Sequence, residues 1–548
     1  MKSKILAVVS LSAVMVLFAL GSALWCSEYV EGEVLAVFRV PEGVRASEAK
    51  ITVAGAEVSE TYEALSEAEG KSFVLIRSGV KTTQQLIDEL KQNPGVISVS
   101  PNYKVRRQPQ SLTPSETQSV FPNDPSADLC WGLRAIRAPE VWADTTGSKE
   151  IYACVVDTGI YRHPDLEANL AGSLGLNTQT VSGEYDVAFG SWDADFQGHG
   201  THVAGTIGAV GNNGFGVSGV NWSVSIIPVR VFDVENAYET ISYEIRGLNY
   251  IVGLLQRNPD LKLAALNFSL GAYFPITPED MKNDPYYMAY QALDNMNRTL
   301  IVVAAGNSSI AVDRSAPFDE EGLFKAGYYH YPAALPGLKN FIVVGAMASD
   351  DTAAVFSNWG DSVDIAAPGY RILSTYSPIA AEQRSSGMYH YANGTSMAAP
   401  HVTGAAALLM SAYPDAAPAQ IKAALLDGAN RDKNPLVYPY AYNVESYMKR
   451  YTAQIDSMIA YGTLPAESRD ERLESYRDFL HEIFAKYEPI DGTGRVSRTG
   501  LLDVKAAYDL LAERVKPLSS SSGGCSAGYT LVIVLAVILG LALIPEKH

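Results

Sequence analysis

Short apolar runs of strand length, polar on neither face, constrain this chain more than any other feature. They are "IYACVVD" (151–157), "VSIIPVRVF" (224–232), "LAALNFSL" (263–270), "LIVVAAGN" (300–307) and "FIVVGAM" (341–347), and stretches of helical character separate them. A strand exposed on one side alternates apolar with polar residues, whereas a strand covered on both faces is apolar throughout. Such strands alternating with helices predict an α/β fold: a mostly parallel sheet with helices on both faces, spanning residues 124–512. At 47% hydrophobic and 19% charged residues, the 548-residue chain can bury a core of that size and more.

The segments around this body read differently. Residues 28–107 carry the strand-like "GEVLAVFRV" and "KSFVLIRSG", a helical "TTQQLIDELKQNP" and a further strand "GVISVSPNYKV", which predicts a small α/β unit of ferredoxin-like type. Residues 108–123 are polar, proline-bearing and aperiodic, and read as a protease-accessible linker. Within the body, 430–490 breaks the strand–helix rhythm with charged, aromatic-bearing segments and reads as a helical insertion.

The two ends point to export. Lys2 and Lys4 precede an apolar run that reaches about Leu20, and Gly21-Ser22-Ala23 offers small residues for a peptidase, so residues 1–27 read as a signal peptide. Residues 513–526 form a Ser/Gly linker with Cys525, and 527–548 follow as a transmembrane or sorting segment whose residues 527–544 carry no charge. This layout resembles bacterial C-terminal sorting segments, a resemblance that makes Cys525 a candidate lipid attachment point. Export predicts a location at the cell envelope, the cell surface or outside the cell. It would also permit a disulfide between Cys130 and Cys154, against which stands a buried free thiol at Cys154 in an apolar strand. The net charge of −18 argues against a nucleic-acid partner.

Three stretches need a joint explanation. "VVDTGI" puts Asp157 at the end of a buried strand, "GHGTHVAG" puts His199 and His202 at a helix start, and "GTSMAAPHVTG" puts Ser396 at another. Alone, Ser396 reads equally as a helix N-cap. Together, a strand-end carboxylate, a histidine and a serine can form a nucleophile, its base and the group that orients the base. The order Asp…His…Ser, with Ala398 where a nucleophile elbow needs glycine, excludes the α/β-hydrolase arrangement.

On "DTGI", "HGTHVAG", "GTSMAAPHV" and the intervening "AAGN", the chain resembles the subtilisin-like serine peptidases, and residues 28–107 resemble that family's inhibitory propeptide. The resemblance implies Asp157 as orienting carboxylate, His199 as general acid/base, Ser396 as nucleophile and Asn307 as oxyanion donor, with His202 structural. It implies a cleft lined by Ser269, Leu270 and Gly271 on one side and Ala304, Ala305 and Gly306 on the other. Tyr238 would stand at an outer pocket, and His330 at the floor of the pocket for the residue before the cut. It further implies no catalytic cofactor, and a structural calcium held by Asp165 and Asn213 with help from Asp124. The partners would be protein or peptide substrates, the chain's own propeptide and, through the C-terminal segment, a membrane. The expected function is a secreted serine endopeptidase made as a self-inhibited zymogen. The alternative is a catalytically silent surface protein that uses the same fold for binding.

Overall fold

A computed structural model describes residues 29–515, apart from 42, 107–121, 179–191, 233–237, 314–326, 381–387 and most of 436–494. The predicted signal peptide, most of the linker and of the helical insertion, Cys525 and the C-terminal apolar segment lie outside the described residues. Among the described residues no helix is long and apolar enough to cross a membrane.

The N-terminal unit is built from β1 (Tyr29–Arg39), β2 (Glu57–Thr61), α1 (Glu63–Glu69), β3 (Lys71–Arg77), α2 (Thr83–Lys91) and β4 (Val96–Arg106). Its antiparallel strands lie in the order β2-β3-β1-β4. The Thr82 hydroxyl caps α2 by accepting from the Gln85 N–H while the Gln85 side chain accepts from the Thr82 N–H, a reciprocal pair that fixes where the helix starts. The strands alternate cleanly. Val34, Ala36, Val74 and Ile76 pack under α2, while Leu35, Val37, Phe73 and Leu75 join a core shared with the rest of the chain.

The body contains β5 (Gly147–Asp157), β6 (Leu176–Asn177), α3 (His199–Gly208), β7 (Ser223–Arg230), β8 (Tyr238–Thr240), α4 (Ile241–Arg257), β9 (Lys262–Phe268), β10 (Ala272–Phe274) and α5 (Pro285–Asn295). It continues with β11 (Leu300–Ala304), β12 (Tyr329–Tyr331), β13 (Phe341–Met347), β14 (Ile365–Pro368), β15 (Ile372–Thr375), β16 (Tyr389–Ala392), α6 (Thr395–Ala412), α7 (Pro418–Asp427) and α8 (Val504–Val515). A seven-stranded sheet in the order β14-β13-β11-β9-β5-β7-β6 is parallel throughout. Ala153 and Val155 of β5 face a core with α3 and α6, and Cys154 and Val156 face the opposite core with α4 and α5. That division explains why these runs are apolar at every position. Cys130 and Cys154 are both free and buried, on opposite faces of the sheet, and burial holds both thiols far above the usual range.

The two parts are tied together. β4 pairs antiparallel with β8, matching Lys104 to Thr240 and Arg106 to Tyr238, so the N-terminal sheet continues onto an edge of the body. Asn102 donates to the Ser242 hydroxyl at 3.0 Å and accepts from the Ser242 N–H at 3.0 Å. The Arg246 guanidinium grips both carboxylate oxygens of Glu60, and the Tyr103 ring stacks on Phe274 at 4.8 Å.

Candidate active site

β5 delivers Asp157 at its last residue, and α3 begins with His199. The helix can approach the strand end because Gly200 has no side chain: a Cβ there would stand 2.0 Å from the Gly159 carbonyl oxygen. His199 Nδ1 lies 2.7 Å from Asp157 Oδ1, with both side chains at most 3% exposed. The same Oδ1 accepts from the Thr158 N–H at 2.7 Å.

Asp195, which no motif in the sequence marks, fixes this approach. Its Oδ1 accepts from the Thr158 hydroxyl at 2.9 Å and the Gly198 N–H at 2.8 Å, and its Oδ2 accepts from the Thr201 N–H at 3.0 Å and hydroxyl at 2.6 Å. One buried carboxylate thus fastens the start of α3 to the residue after Asp157 and satisfies helix N–H groups that would otherwise lack partners. An acidic residue just ahead of a helix start is the signal that could have revealed it.

His202, one turn into α3, faces away from Asp157. Its Nε2 donates toward the carbonyls of Ile372 at 2.9 Å and His390 at 3.1 Å, and burial pulls its pKa down to about 3. It ties the helix to β15 and β16 as a neutral ring.

Ser396 is the second residue of α6, and Gly394 is the cap, so Ser396 does not serve as the helix N-cap. Its hydroxyl donates to the Ser269 carbonyl at 3.2 Å, while the Ser269 hydroxyl donates to the Ser396 carbonyl at 2.8 Å. Asn267 supports that link by donating to the Ser269 hydroxyl at 2.8 Å, and it accepts from Thr403 at 3.1 Å. Ser269, Leu270 and Gly271 therefore pass directly beside the start of α6.

Asn307 follows β11, and its Oδ1 accepts from the Thr395 N–H at 2.8 Å and hydroxyl at 2.9 Å. With its oxygen held by Thr395, the amide is fixed in orientation. The point that a Cβ on Gly394 would occupy lies 3.5 Å from Asn307 Nδ2, 3.5 Å from the Ser396 nitrogen and 3.6 Å from Ser396 Cβ. Two nitrogens that carry N–H groups thus lie within 3.5 Å of one spot beside the serine, at the N-terminus of an 18-residue helix whose dipole favours negative charge there. Ala304, Ala305 and Gly306 approach from the other side, and the Gly306 N–H donates to the Thr395 hydroxyl at 3.0 Å.

His330 lies between these two segments, 3% exposed, against Gly271 and Gly306. The side chain of Tyr238 lies outside the described residues.

Asp165 and Asn213 meet, but as a hydrogen-bonded pair. Asn213 Nδ2 donates to Asp165 Oδ1 at 2.8 Å, the Val217 N–H and Tyr389 hydroxyl donate to Asp165 Oδ2, and Asn213 Oδ1 accepts from the Phe215 N–H. Asp124 accepts from the N–H groups of Asn212 and Asn213 at 2.7 and 2.9 Å. As arranged, these oxygens face N–H and O–H donors, which does not fit the oxygen cage that calcium requires. Among the described residues no group of three or more His, Cys, Asp or Glu could hold a metal ion.

Comparison with known proteins agrees with this architecture. A sequence profile described as the Subtilase family matches residues 148–451. The chain is 34% identical over 287 residues to the major intracellular serine protease of Bacillus subtilis (strain 168), covering 52% of this chain and 76% of that protein. It is 33% identical over 323 residues to the extracellular basic protease of Dichelobacter nodosus, covering 53% of this chain and 48% of that one. The crystal structure of fervidolysin from Fervidobacterium pennivorans, a keratinolytic enzyme related to subtilisin, shares the fold with a TM-score of 0.58 at 23% identity, covering 88% of this chain and 61% of that one. The chain belongs to the subtilase family and is a serine-type endopeptidase.

Proposed function

We propose that Asp157, His199 and Ser396 form the reacting set, with Asn307 Nδ2 and the Ser396 N–H as the oxyanion donors. The observation that carries this reading is the buried 2.7 Å contact between His199 Nδ1 and Asp157 Oδ1, on a helix, α3, that packs against α6, the helix bearing Ser396. In the first step the Ser396 hydroxyl leaves the Ser269 carbonyl by rotating about its Cα–Cβ bond and gives its proton to His199 Nε2. Its oxygen then bonds to the carbonyl carbon of the scissile peptide. The former carbonyl oxygen takes up negative charge between Asn307 and the Ser396 N–H. As that intermediate collapses, the C–N bond breaks, His199 passes its proton to the leaving amine, and an acyl-enzyme remains. Water repeats the sequence and restores the hydroxyl. Asp157 stays ionised and holds the imidazole in one tautomer throughout.

The N-terminal unit reads as an intramolecular inhibitor. β4 occupies the β8 edge by main-chain pairing, the mode in which an extended peptide binds a strand edge, and the Glu60–Arg246 and Asn102–Ser242 contacts hold it there. Cleavage in the linker 108–123 would free that edge. The apolar run behind Lys2 and Lys4 supports export as a zymogen. The charge-free residues 527–544 after Cys525 support retention at the envelope or processing during sorting.

Labelling with a fluorophosphonate after linker cleavage tests the reaction. Labelling abolished by Ser396→Ala and by His199→Ala is the expected result. A matured chain that never labels would refute the reading.

A further inference from the structure

The side chain of His330 lies against both cleft segments, beside Gly271 and Gly306. β12 pairs antiparallel with β10, placing His330 directly opposite Tyr273, and the imidazole packs edge-on against that ring at 5.0 Å. From there it reaches both walls. A Cβ built on Gly271 would stand 2.6 Å from His330 Cε1 and 2.8 Å from Nε2, and one built on Gly306 would stand 2.9 Å from Cε1 and 3.0 Å from Nδ1. The Nδ1–Cε1–Nε2 edge therefore fills the space that two glycines leave open, one in each wall.

We propose that His330 is the floor of the pocket for the side chain preceding the scissile bond, and that its imidazole edge selects a carboxamide side chain, glutamine or asparagine, over large aromatic ones. This rests on the reading of Ser396 as the nucleophile, which makes 269–271 and 304–306 the walls of that pocket. A floor raised by an imidazole shortens the pocket, and a phenyl or phenol side chain meets the ring before it is fully seated.

The chemistry of the floor is also specific. Nδ1 of His330 is buried with no hydrogen-bond partner among the described residues. A buried nitrogen left unpaired is costly, so a substrate group that pairs with it is favoured over one that does not. Burial lowers the pKa of His330 to about 4, which leaves the ring neutral near pH 7 with one N–H donor and one acceptor nitrogen. A carboxamide offers the complement, an acceptor oxygen and a donor NH₂. A carboxylate offers only acceptors and would bring a charge against a buried, neutral ring.

The test is cleavage of a peptide library, varied at the residue before the cut, by the full-length chain matured by linker cleavage. Each variant is first titrated with fluorophosphonate, so that only competent sites are counted. Wild type is expected to cut after Gln and Asn faster than after Phe, Tyr or Glu at pH 8. His330→Leu keeps the floor occupied without nitrogens. It should lose the carboxamide preference by on the order of tenfold while still rejecting aromatics. His330→Gly should admit Phe and Tyr; if that variant does not fold, the leucine variant decides alone. Faster cleavage after Phe than after Gln by wild type, cleavage after Glu at the rate of Gln, or a profile untouched by His330→Leu overturns the proposal. Wild type that fails to label refutes instead the nucleophile reading beneath it.

Discussion

Thr395 gives both its backbone N–H and its hydroxyl to one atom, Oδ1 of Asn307, at 2.8 and 2.9 Å. The residue before the serine thereby sets the direction in which the asparagine amide points. Asn307→Ala is expected to lower kcat by about 10²–10³ with little change in KM, since in the proposed mechanism its amide acts on charge that exists only in the transition state. Thr395→Val removes one of two tethers and should cost roughly tenfold, in the same parameter. Steady-state kinetics on one peptide substrate measures both.

Asp195 accepts five hydrogen bonds, from Thr158, Gln197, Gly198 and twice from Thr201, that join the start of α3 to Thr158, so its loss should loosen the contact between Asp157 and His199. Asp195→Ala leaves buried donors unpaired at about 1–3 kcal/mol each, though not additively. A fall in the thermal midpoint of roughly 5 °C or more, with a fall in kcat, is expected. Calorimetry and turnover of the same preparation check the pair of effects.

Asp284 caps α5, accepts from the Tyr286 N–H at 2.8 Å and lies under Ser100 of the N-terminal unit, whose hydroxyl donates to it at 3.3 Å. Burial raises its pKa to about 6, from an ordinary value of 3.8. A raised carboxyl favours the docked state when protonated. Its contribution is complete below about pH 4 and is lost as pH rises through about 6. Release of the N-terminal unit, which uncovers this carboxyl, should therefore quicken as pH rises through about 6. Asp284→Asn should flatten the profile, and gel filtration of the cleaved protein across that range reads it.

Asp165, Asn213 and Asp124 face N–H and O–H donors in place of a cation. Adding EGTA should leave the thermal midpoint within about 1 °C of the untreated value. A drop of several degrees, restored by calcium, would show that these oxygens rearrange around an ion.

The parallel sheet is legible in the sequence because burial on both faces removes the polar half of the usual alternation, and β5, β9, β11 and β13 coincide with apolar runs. β2 is not legible. "EVSET" is a half-exposed edge strand with little apolar signal, and the short α1 behind it packs on the body, so neither stands out from a loop. His199 and His202 are three residues apart with similar surroundings, and periodicity alone cannot rank them. What separates them is which faces Asp157 and which faces the carbonyls of β15 and β16, a tertiary fact. Asp195 is not legible as a clasp because its partners, Thr158 and the start of α3, meet only in the fold.

The continuation of the N-terminal sheet onto β8 also bears on solubility. An unpaired strand edge is adhesive toward any other extended chain, including another molecule of the same kind. While β4 lies on β8, that row of amides and carbonyls is already satisfied within one polypeptide, and newly made molecules are shielded from sticking to each other. Removal of the N-terminal unit would turn that satisfied row into a surface that grips whatever strand arrives next, so crowding would be hazardous to the chain stripped of its cover.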